Sequence, residues 1–283
     1  MNIHFIHDLW FYKSLVCSRF LKALGILFTI DKFLECFDCF SWLQIHDFYF
    51  GLAICTISLL WGIWILIKTK QKVTLKINNR TKLSIFYGDL FKERHIRVIP
   101  VNEYFDTHLD DGIIAPNTVH GQFLKRYITR IPELRRKIDA QLQHLRQLPN
   151  TRHRNMVAGL PQNPYPLGTT IRIEMDGQYY LLVAVTRFNQ VEHVDVADSE
   201  YMGIMQRLFY HIEQLNDGKS VSLPLIGSGQ AGFGYTNMQL LNLIVQAASL
   251  SDRLAVIHGI NVVLYDSESM RKSINLSVIK SLY

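Results

Sequence analysis

The sequence predicts an α/β fold, a three-layer α/β/α sandwich with a mixed sheet, preceded by two N-terminal transmembrane helices. Three observations support this prediction: strand-like runs alternate with amphipathic helical segments, one long stretch near the start carries no charge, and a glycine-rich turn joins a strand to a helix. Alternating strands and helices bury both faces of a sheet beneath helices. We therefore divide the chain into a membrane region, residues 1–72, and one soluble domain, residues 73–283.

The first apolar segment, about residues 9–30, predicts a membrane-spanning helix that is interrupted by three cations, Lys13, Arg19 and Lys22. Arg19 and Lys22 are three residues apart, so they share one face of a helix. A charge at membrane depth costs about 2.5 kcal/mol or more unless it snorkels, pairs, or faces protein or water. The cations therefore indicate either a polar face used in assembly or a pore, or a helix that lies at the membrane interface.

The second apolar segment, residues 48–67 (FYFGLAICTISLLWGIWILI), contains no charged residue and predicts a transmembrane helix. About 20 helical residues span a hydrocarbon core of roughly 30 Å. Lys68, Lys70 and Lys72 follow at once, and the positive-inside rule then places the soluble domain in the cytoplasm. The connection between the two segments is acidic and is expected outside, which leaves both termini in the cytoplasm; its acidic residues are Asp31, Glu35, Asp38 and Asp47.

All four cysteines lie before residue 73, which excludes disulfides and thiolate catalysis from the soluble domain. Cys17 and Cys55 sit in the apolar segments, whereas Cys36 and Cys39 form a CxxC between them. Two thiols cannot complete a tetrahedral zinc site, so this pair predicts a loop disulfide or plain apolar packing. The sequence predicts no metal site and no cofactor.

The soluble part contains seven strand-like runs, at residues 73–77, 82–87, 96–101, 170–175, 179–186, 220–226 and 261–265. Asp176-Gly177 joins the fourth run to the fifth and signals a hairpin. Apolar spacing predicts one helix after Asp198 or Ser199, ended by Asp217-Gly218, and an earlier helix with Pro132 in its first turn and Leu145 on its apolar face. Residues 148–169 predict a long exposed loop able to cover a pocket.

Residues 224–234 (PLIGSGQAGFG) form the strongest candidate binding site, because they follow a strand-like run and precede a helix that begins near Asn237. Glycines let backbone N–H groups converge on an anion, and the helix adds the positive end of its dipole. One known phosphate loop, the Walker loop, needs Lys and then Ser or Thr after its last glycine, but Phe233-Gly234 stands there, so that interpretation fails. Gly227, Gly229 and Gly232 match the dinucleotide fingerprint, but too little chain follows for its βαβ unit. A tight strand-to-helix connection is the structural alternative.

A third interpretation fits better, since this loop resembles the phosphate-binding loop of macro domains, which bind ADP-ribose. Residues 85–90 (IFYGDL) resemble the early macro-domain strand, which implies that Asp89, with Leu90, contacts adenine. Residues 98–102 (VIPVN) resemble the next strand, which implies that Asn102 contacts the distal ribose. The resemblance also implies a phosphate loop with an aromatic wall against the ribose, made of Gly227, Ser228, Gly229, Gln230, Ala231, Gly232 and Phe233.

Three of these side chains also have a purely structural interpretation. Asp89 can cap a turn with Gly88, and Asn102 can hold its own loop by hydrogen bonds from its side chain to the backbone. Phe233 can be an ordinary core residue. Both interpretations of each residue are open from the sequence.

Residues 100–107 (PVNEYFDT), His120-Gly121 and the 224–234 loop together resemble the divergent macro domain of the bacterial Thoeris antiphage effectors. In one branch of that family, two membrane-spanning helices precede the macro domain. The resemblance covers most of residues 72–266. It implies a non-enzymatic, homo-oligomeric effector in the bacterial inner (cell) membrane, with its soluble domain in the cytoplasm.

The same resemblance implies how such an effector works. A TIR-domain partner protein makes an ADP-ribose-derived signal, with histidine-ADP-ribose as the expected form, and binding of this signal triggers disruption of the lipid bilayer and abortive infection. The alternative is a membrane-anchored ADP-ribosyl hydrolase in which Asp106, Asp110 or Asp111 positions water. Against it, the glycine run of hydrolytic macro domains is missing after Asn102, and no acid and base pair stands out.

The chain carries a formal net charge of +6, with a basic concentration on and after the predicted helix that contains Pro132. Its members are Arg135, Arg136, Lys137, Arg146, Arg152 and Arg154. Positive charge beside a membrane anchor is explained by an anionic bilayer, and no nucleic-acid motif with interleaved aromatic residues accompanies it. We therefore expect no nucleic-acid partner.

Overall fold

The computed structural model describes residues 12–36, 47–109, 114–149, 161, 163–187, 198–229 and 233–283. Its helices are α1 (Lys13–Cys36), α2 (Asp47–Gln71), α3 (Val119–Arg126), α4 (Ile131–Leu142), α5 (Tyr201–Leu215), α6 (Asn237–Ser249), α7 (Glu268–Ser273) and α8 (Leu276–Leu282). Its strands are β1 (Lys72–Lys76), β2 (Lys82–Gly88), β3 (Ile96–Asn102), β4 (Thr170–Met175), β5 (Gln178–Thr186), β6 (Val221–Pro224) and β7 (Ile260–Tyr265). All seven predicted strands are therefore present.

The chain divides into two compact units. The first holds Met1–Val73 and Asn275–Leu282, and the second holds Thr74–Ile274 with Tyr283. The sequence predicts one soluble domain over residues 73–283, whereas this division groups helix α8 with the two N-terminal helices. Leu276 and Ile279 of α8 are buried, which is the pattern of a short helix with one packed face.

In the first unit, the stretch Tyr49–Lys68 of α2 is long and apolar enough to cross a membrane, and no other helix among the described residues is. Its large apolar side chains are mostly exposed, including Trp61 and Trp64, whereas a core helix of a soluble protein buries such residues. Helices α1 and α2 pack closely at Gly62, because an added Cβ there would lie 3.3 Å from the Val16 carbonyl oxygen. The CxxC prediction reaches Cys39, which lies outside the described residues.

The second unit is built on a seven-stranded mixed sheet with the order β1-β2-β7-β6-β3-β5-β4. Strands β2, β7, β6, β3 and β5 run parallel to one another, and β4 is antiparallel to β5. The predicted hairpin joins β4 to β5 through Asp176 and Gly177, which both have positive φ, 53° and 72°. Two consecutive residues with positive φ form the tight turn that suits the twist of a two-residue hairpin.

Helices cover the sheet because its central strands are apolar on both faces. One core cluster joins alternate residues of β3, β4 and β5 to α3 and α4, with Ile99, Ile173 and Leu182 as strand members and Leu134 and Ile138 as helix members. The intervening strand residues point to the opposite face. Buried apolar residues of α5 and α6 form the second layer of helices. The predicted three-layer α/β/α sandwich is therefore confirmed.

The helix ends follow local chemistry. Helix α5 stops at Leu215, where Asn216 caps it and Asp217 and Gly218 turn the chain with φ of 47° and 70°. Helix α4 carries the predicted Pro132 near its start, but it ends at Leu142. The prediction that Leu145 belongs to this helix is therefore wrong, because the backbone leaves the helical path after Gln143.

Candidate functional site

The carboxyl ends of five parallel strands meet at one edge of the sheet, which is where open α/β sheets bind their ligands. The residues that end or follow these strands are polar or glycine-rich. Asp89 follows β2, Asn102 ends β3 and Arg187 follows β5. The glycine-rich loop follows β6, and Asp266 follows β7. The structure thus brings the predicted adenine, ribose and phosphate residues to the same edge.

The glycine-rich loop starts with a turn that only glycine accommodates. Gly227 has φ of +92°, and an added Cβ would lie 3.0 Å from Leu240 and 3.2 Å from Phe233 and Tyr201. Ser228 closes the turn by donating its N–H and its Oγ to the Leu225 carbonyl oxygen at 3.3 and 2.7 Å. The backbone is therefore fixed tightly where it leaves β6.

The next glycine lies in open space. Gly229 is exposed, and an added Cβ would meet no described heavy atom within 4 Å. The predicted contacts Gln230, Ala231 and Gly232 lie outside the described residues. Their backbone N–H groups, with those of Ser228 and Gly229, remain the predicted phosphate cradle.

The far end of the loop is tied down by Asp198. Its Oδ1 accepts the N–H of Gly234 at 2.8 Å, and its carbonyl oxygen accepts the hydroxyl of Tyr235 at 3.2 Å. Helix α6 then begins with a capping box between Thr236 and Gln239. The cap fixes the start of the helix beside the loop, so the positive end of the helix dipole is held close to the cradle.

Tyr201 is a buried support for the loop that the sequence analysis did not identify. Its hydroxyl donates to the Ile226 carbonyl oxygen at 2.8 Å, and its ring meets the Phe233 ring edge-on with centroids 4.9 Å apart. Burial raises the pKa of the Tyr201 hydroxyl, which therefore stays protonated as a donor. Phe233 is itself buried and packs as a core residue, and its contact with ribose stays a prediction.

Asp89 and Leu90 lie where β2 turns into a short 3₁₀ helix. The Asp89 carboxylate accepts the N–H of Phe91 at 2.9 Å and caps this helix, while the rest of the side chain stays exposed. Leu90 is buried in the core cluster. The cap is the structural interpretation of Asp89, and one carboxylate can both cap and meet an adenine amino group, so that contact stays a prediction.

Asn102 organises a loop in which residues 101–107 are all buried. Its Oδ1 accepts the N–H groups of Tyr104 and Asp106 at 3.1 and 3.2 Å, and its Nδ2 donates to Oδ2 of Asp106 at 2.9 Å. The side chain is only 2% exposed. Asn102 therefore holds its own loop, and a direct contact with the distal ribose stays a prediction.

His120 lies beneath that loop on α3. Burial lowers its pKa to about 4, although the nearby Asp106 carboxylate and a hydrogen bond to the Asp106 backbone act in the opposite direction. The imidazole is therefore neutral near pH 7. The next residue is glycine for a steric reason, because an added Cβ at Gly121 would overlap Ala115 and lie 2.8 Å from Pro116 Cα.

Arg187 is a second residue that sequence reasoning missed. Its guanidinium donates to both carboxylate oxygens of Glu200, at 2.9 and 3.1 Å, and its Nε lies 3.9 Å from the buried Glu103 carboxylate. It therefore joins the end of β5 to the 3₁₀ turn Asp198–Glu200. In the same turn, Asp198 bonds to the far end of the glycine-rich loop. An arginine that follows directly on a parallel strand is the signal that could have identified it.

Metal chemistry finds no support in the part of the chain that the structure describes, where no group of three or more histidine, cysteine, aspartate or glutamate side chains is placed to hold an ion. The exposed free cysteines among these residues, Cys17 and Cys55, lie on the N-terminal helices.

Comparisons with known proteins identify a family and a shared fold. The family model described as Thoeris protein ThsA, Macro domain, matches residues 83–265, which run from β2 to the end of β7 and include the site loops. The Thoeris protein ThsA of Bacillus amyloliquefaciens (strain Y2) is 31% identical over 235 residues, covering 78% of this chain and 75% of that protein. A mutant macrodomain of Oceanobacillus iheyensis with ADPR superposes with a TM-score of 0.51 at 15% identity, covering 75% of this chain and 98% of that chain.

Proposed function

Because the chain belongs to the family of Thoeris ThsA proteins that carry a macro domain, we propose that it is a membrane effector of bacterial antiphage defence that senses an ADP-ribose-derived signal. The observation that carries this proposal is the loop between β6 and α6. Its turn is fixed at Gly227, its middle is open at Gly229, and a capped helix follows it. This is the arrangement of a backbone cradle for phosphate.

The neighbouring strand ends supply the remaining contacts of the proposed site. The exposed part of the Asp89 carboxylate accepts the adenine amino group, and the loop held by Asn102 surrounds the distal ribose. The diphosphate lies on the N–H groups of residues 228–232 with Phe233 beside the ribose. The macrodomain with ADPR supports this assignment through its shared fold alone.

The membrane part of the proposal rests on helix α2. Tyr49–Lys68 has the length and composition of a transmembrane helix, and its apolar side chains are mostly exposed. We place Lys68 and the domain that follows in the cytoplasm of the bacterial cell, at the inner membrane, with α1 as a second span. A phosphatase reporter fused after Tyr283 should be inactive, and an active fusion would show the opposite orientation.

Membership of the Thoeris ThsA family supports a proposal for the signal and its source. We propose that a TIR-domain partner cleaves NAD during phage infection and produces an ADP-ribose conjugate, with histidine-ADP-ribose as the first candidate. Binding then favours an oligomer whose helices disrupt the bilayer, which leads to abortive infection. A ligand can drive this change only if it binds one state more tightly than the other.

The alternative, a membrane-anchored ADP-ribosyl hydrolase, requires an acid or base at the distal ribose. Asp106 is the candidate within the described residues, but its carboxylate is 1% exposed and already accepts a hydrogen bond from Asn102. His120 is neutral and buried beside it. Asp110 and Asp111 lie outside the described residues. This arrangement favours binding over turnover.

Calorimetry with the full chain in mild detergent tests the proposal. We expect binding of ADP-ribose and tighter binding of histidine-ADP-ribose, with the ligand recovered intact by chromatography. Gly229→Glu should abolish binding, whereas Asn79→Glu, which adds the same charge at an exposed position, should not. Wild-type protein that binds neither nucleotide would refute the sensor, and cleaved products that disappear in Asp106→Asn would establish the hydrolase.

A further inference from the structure

Arg135 contacts the predicted ribose loop from outside the site. It lies on α4 and donates from one terminal guanidinium nitrogen to the Phe105 carbonyl oxygen at 3.0 Å. The other side of its guanidinium bonds to both carboxylate oxygens of Asp139, one turn further along the helix, with Nε to Oδ2 at 2.9 Å. Asp139 therefore holds the guanidinium plane in one orientation, and the bond to Phe105 is directional.

The residue that Arg135 contacts has an unfavourable backbone conformation. Phe105 has φ of +52°, in the left-handed region that bulky side chains rarely adopt. Its N–H donates to the Asn102 carbonyl oxygen at 3.1 Å, and its ring packs edge-on against Tyr165 with centroids 5.7 Å apart. The surroundings must therefore hold this conformation, and Arg135 supplies the partner of its carbonyl.

The left-handed turn at Phe105 has a direct consequence for the loop. It reverses the chain so that the N–H and carboxylate of Asp106 both return to the Asn102 side chain. If Phe105 relaxed to an extended conformation, both bonds would be lost. The position of Asn102 thus depends on a bond made about 30 residues away in the sequence.

The neighbouring cations do not share the role. On α4, Lys137 pairs with Glu133 at 3.3 Å and donates to the Glu174 carbonyl oxygen. Just before α4, Arg130 pairs with Glu133 and Asp176. Arg136 is exposed on α4. Among these four described cations, Arg135 is the member directed at the loop after β3.

We propose that Arg135 is a positioning residue for the distal-ribose end of the nucleotide site, acting through the Phe105 carbonyl. This inference rests on the proposed function. It predicts that substitution of Arg135 weakens only the binding energy contributed by the distal ribose of the ligand. ADP lacks the distal ribose, so its affinity should not depend on the loop between Asn102 and Asp106.

The test compares ADP-ribose with ADP by calorimetry on the full chain in detergent. Arg135→Ala should weaken ADP-ribose binding about tenfold, the effect of one charge-assisted hydrogen bond, and change ADP binding less than about twofold. Arg135→Lys keeps the charge but lacks the planar fork that bonds to Asp139 on one side and to Phe105 on the other. It should therefore weaken ADP-ribose binding by less, about threefold. Arg136→Ala is the matched control and should change neither affinity.

The outcomes separate this inference from the proposed function. Unchanged ADP-ribose affinity in Arg135→Ala, or an equal loss for both nucleotides, would overturn the positioning role while leaving the sensor intact. Failure of the wild-type protein to bind either nucleotide would overturn the sensor and this inference with it. If Arg135→Ala does not fold, Asp139→Asn replaces it in the test, because this change frees the guanidinium without removing it. It should weaken the binding of ADP-ribose and leave the binding of ADP unchanged.

Discussion

Asn102 and Asp106 hold each other across the loop that follows β3: Asn102 Nδ2 donates to Asp106 Oδ2 at 2.9 Å, and the Asp106 N–H returns to Asn102 Oδ1 at 3.2 Å. Both side chains are buried. This reciprocal pair closes the loop from within. The two residues therefore stabilise the same loop conformation, which the predicted distal-ribose site requires.

Asn102→Ala should destabilise the second unit, because it removes three hydrogen bonds and leaves the Asp106 carboxylate buried without its amide donor. We expect a loss of roughly 2–4 kcal/mol in the free energy of unfolding and weaker ADP-ribose binding. Urea denaturation followed by circular dichroism measures the first effect. Asn117→Ala, at an exposed position before α3, should cost less than about 0.5 kcal/mol. Equal stability of the two variants would contradict the role of the pair.

The two described glycines of the phosphate loop should respond differently to substitution. Gly227→Ala places a Cβ at φ of +92° and 3.0 Å from Leu240, so it should cost about 1–3 kcal/mol of folding stability. Gly229→Ala meets open space and should change stability by less than about 0.5 kcal/mol. Thermal denaturation distinguishes them. A destabilised Gly229→Ala would show that this residue is constrained in a way that the structure does not display.

Tyr201→Phe tests the support beneath the loop. The change keeps the ring contact with Phe233 but leaves the buried Ile226 carbonyl without its donor, which should cost about 1–3 kcal/mol. Because Ile226 directly precedes Gly227, nucleotide affinity should fall as well. Tyr210→Phe, on the exposed face of the same helix, is the control and should be neutral in both measurements. Affinity that is unchanged in Tyr201→Phe would remove Tyr201 from the support of the site.

His120 should make the second unit sensitive to mild acid. Its pKa is about 4 when folded and 6.5 in its ordinary state, so between these values the unfolded chain binds the proton that the folded chain rejects. The contribution of His120 to the free energy of unfolding is therefore fully present above pH 6.5, and it falls by roughly 2–3 kcal/mol as the pH drops toward 4. His120→Asn should reduce the fall, and His258→Asn, at an exposed site, should not. Urea denaturation at several pH values measures the difference, and parallel curves for wild type and His120→Asn would refute it.

The sequence predicted the strands well because their β-branched runs are continuous and are bounded by turn residues such as Asp176-Gly177. It also located the glycine-rich loop, since glycine spacing is visible along the chain. The supports of that loop were not predicted. Tyr201 meets Ile226, and Asp198 meets Gly234, across separations of 25 and 36 residues, and such pairings leave no periodic signal in one sequence.

The same limit applies to individual roles. Asn102 was predicted as a ribose contact with loop-holding as the alternative; its hydrogen bonds show the loop-holding role, and the ribose contact stays a prediction. Arg135 was grouped with a basic concentration explained by an anionic bilayer, because charge density along the chain does not reveal which cation contacts the protein's own backbone. Its bond to Phe105 depends on a left-handed backbone that the residue type gives no reason to expect.

Loss of membrane integrity should require both the pocket and the helices. Under the proposed function, a change in how the nucleotide-binding domains assemble must reach helix α2 through the stretch in which α2 ends at Gln71 and β1 begins at Lys72. Under the same proposal, cells that carry the protein and the proposed TIR-domain partner should admit a membrane-impermeant dye only after phage infection. A chain that lacks residues 1–67 should not permit dye entry, because it retains the sensor without the spans.

Gly229→Glu provides the decisive comparison, since its side chain enters open space and should leave the fold intact while its charge repels phosphate from the cradle. Infected cells with this variant should exclude the dye, whereas Asn79→Glu, which adds the same charge on the exposed turn between β1 and β2, should permeabilise like wild type. Matched expression is confirmed by immunoblotting. Dye entry that persists in Gly229→Glu would mean that the macro-domain pocket is not the trigger, because the helices would then act without a bound nucleotide.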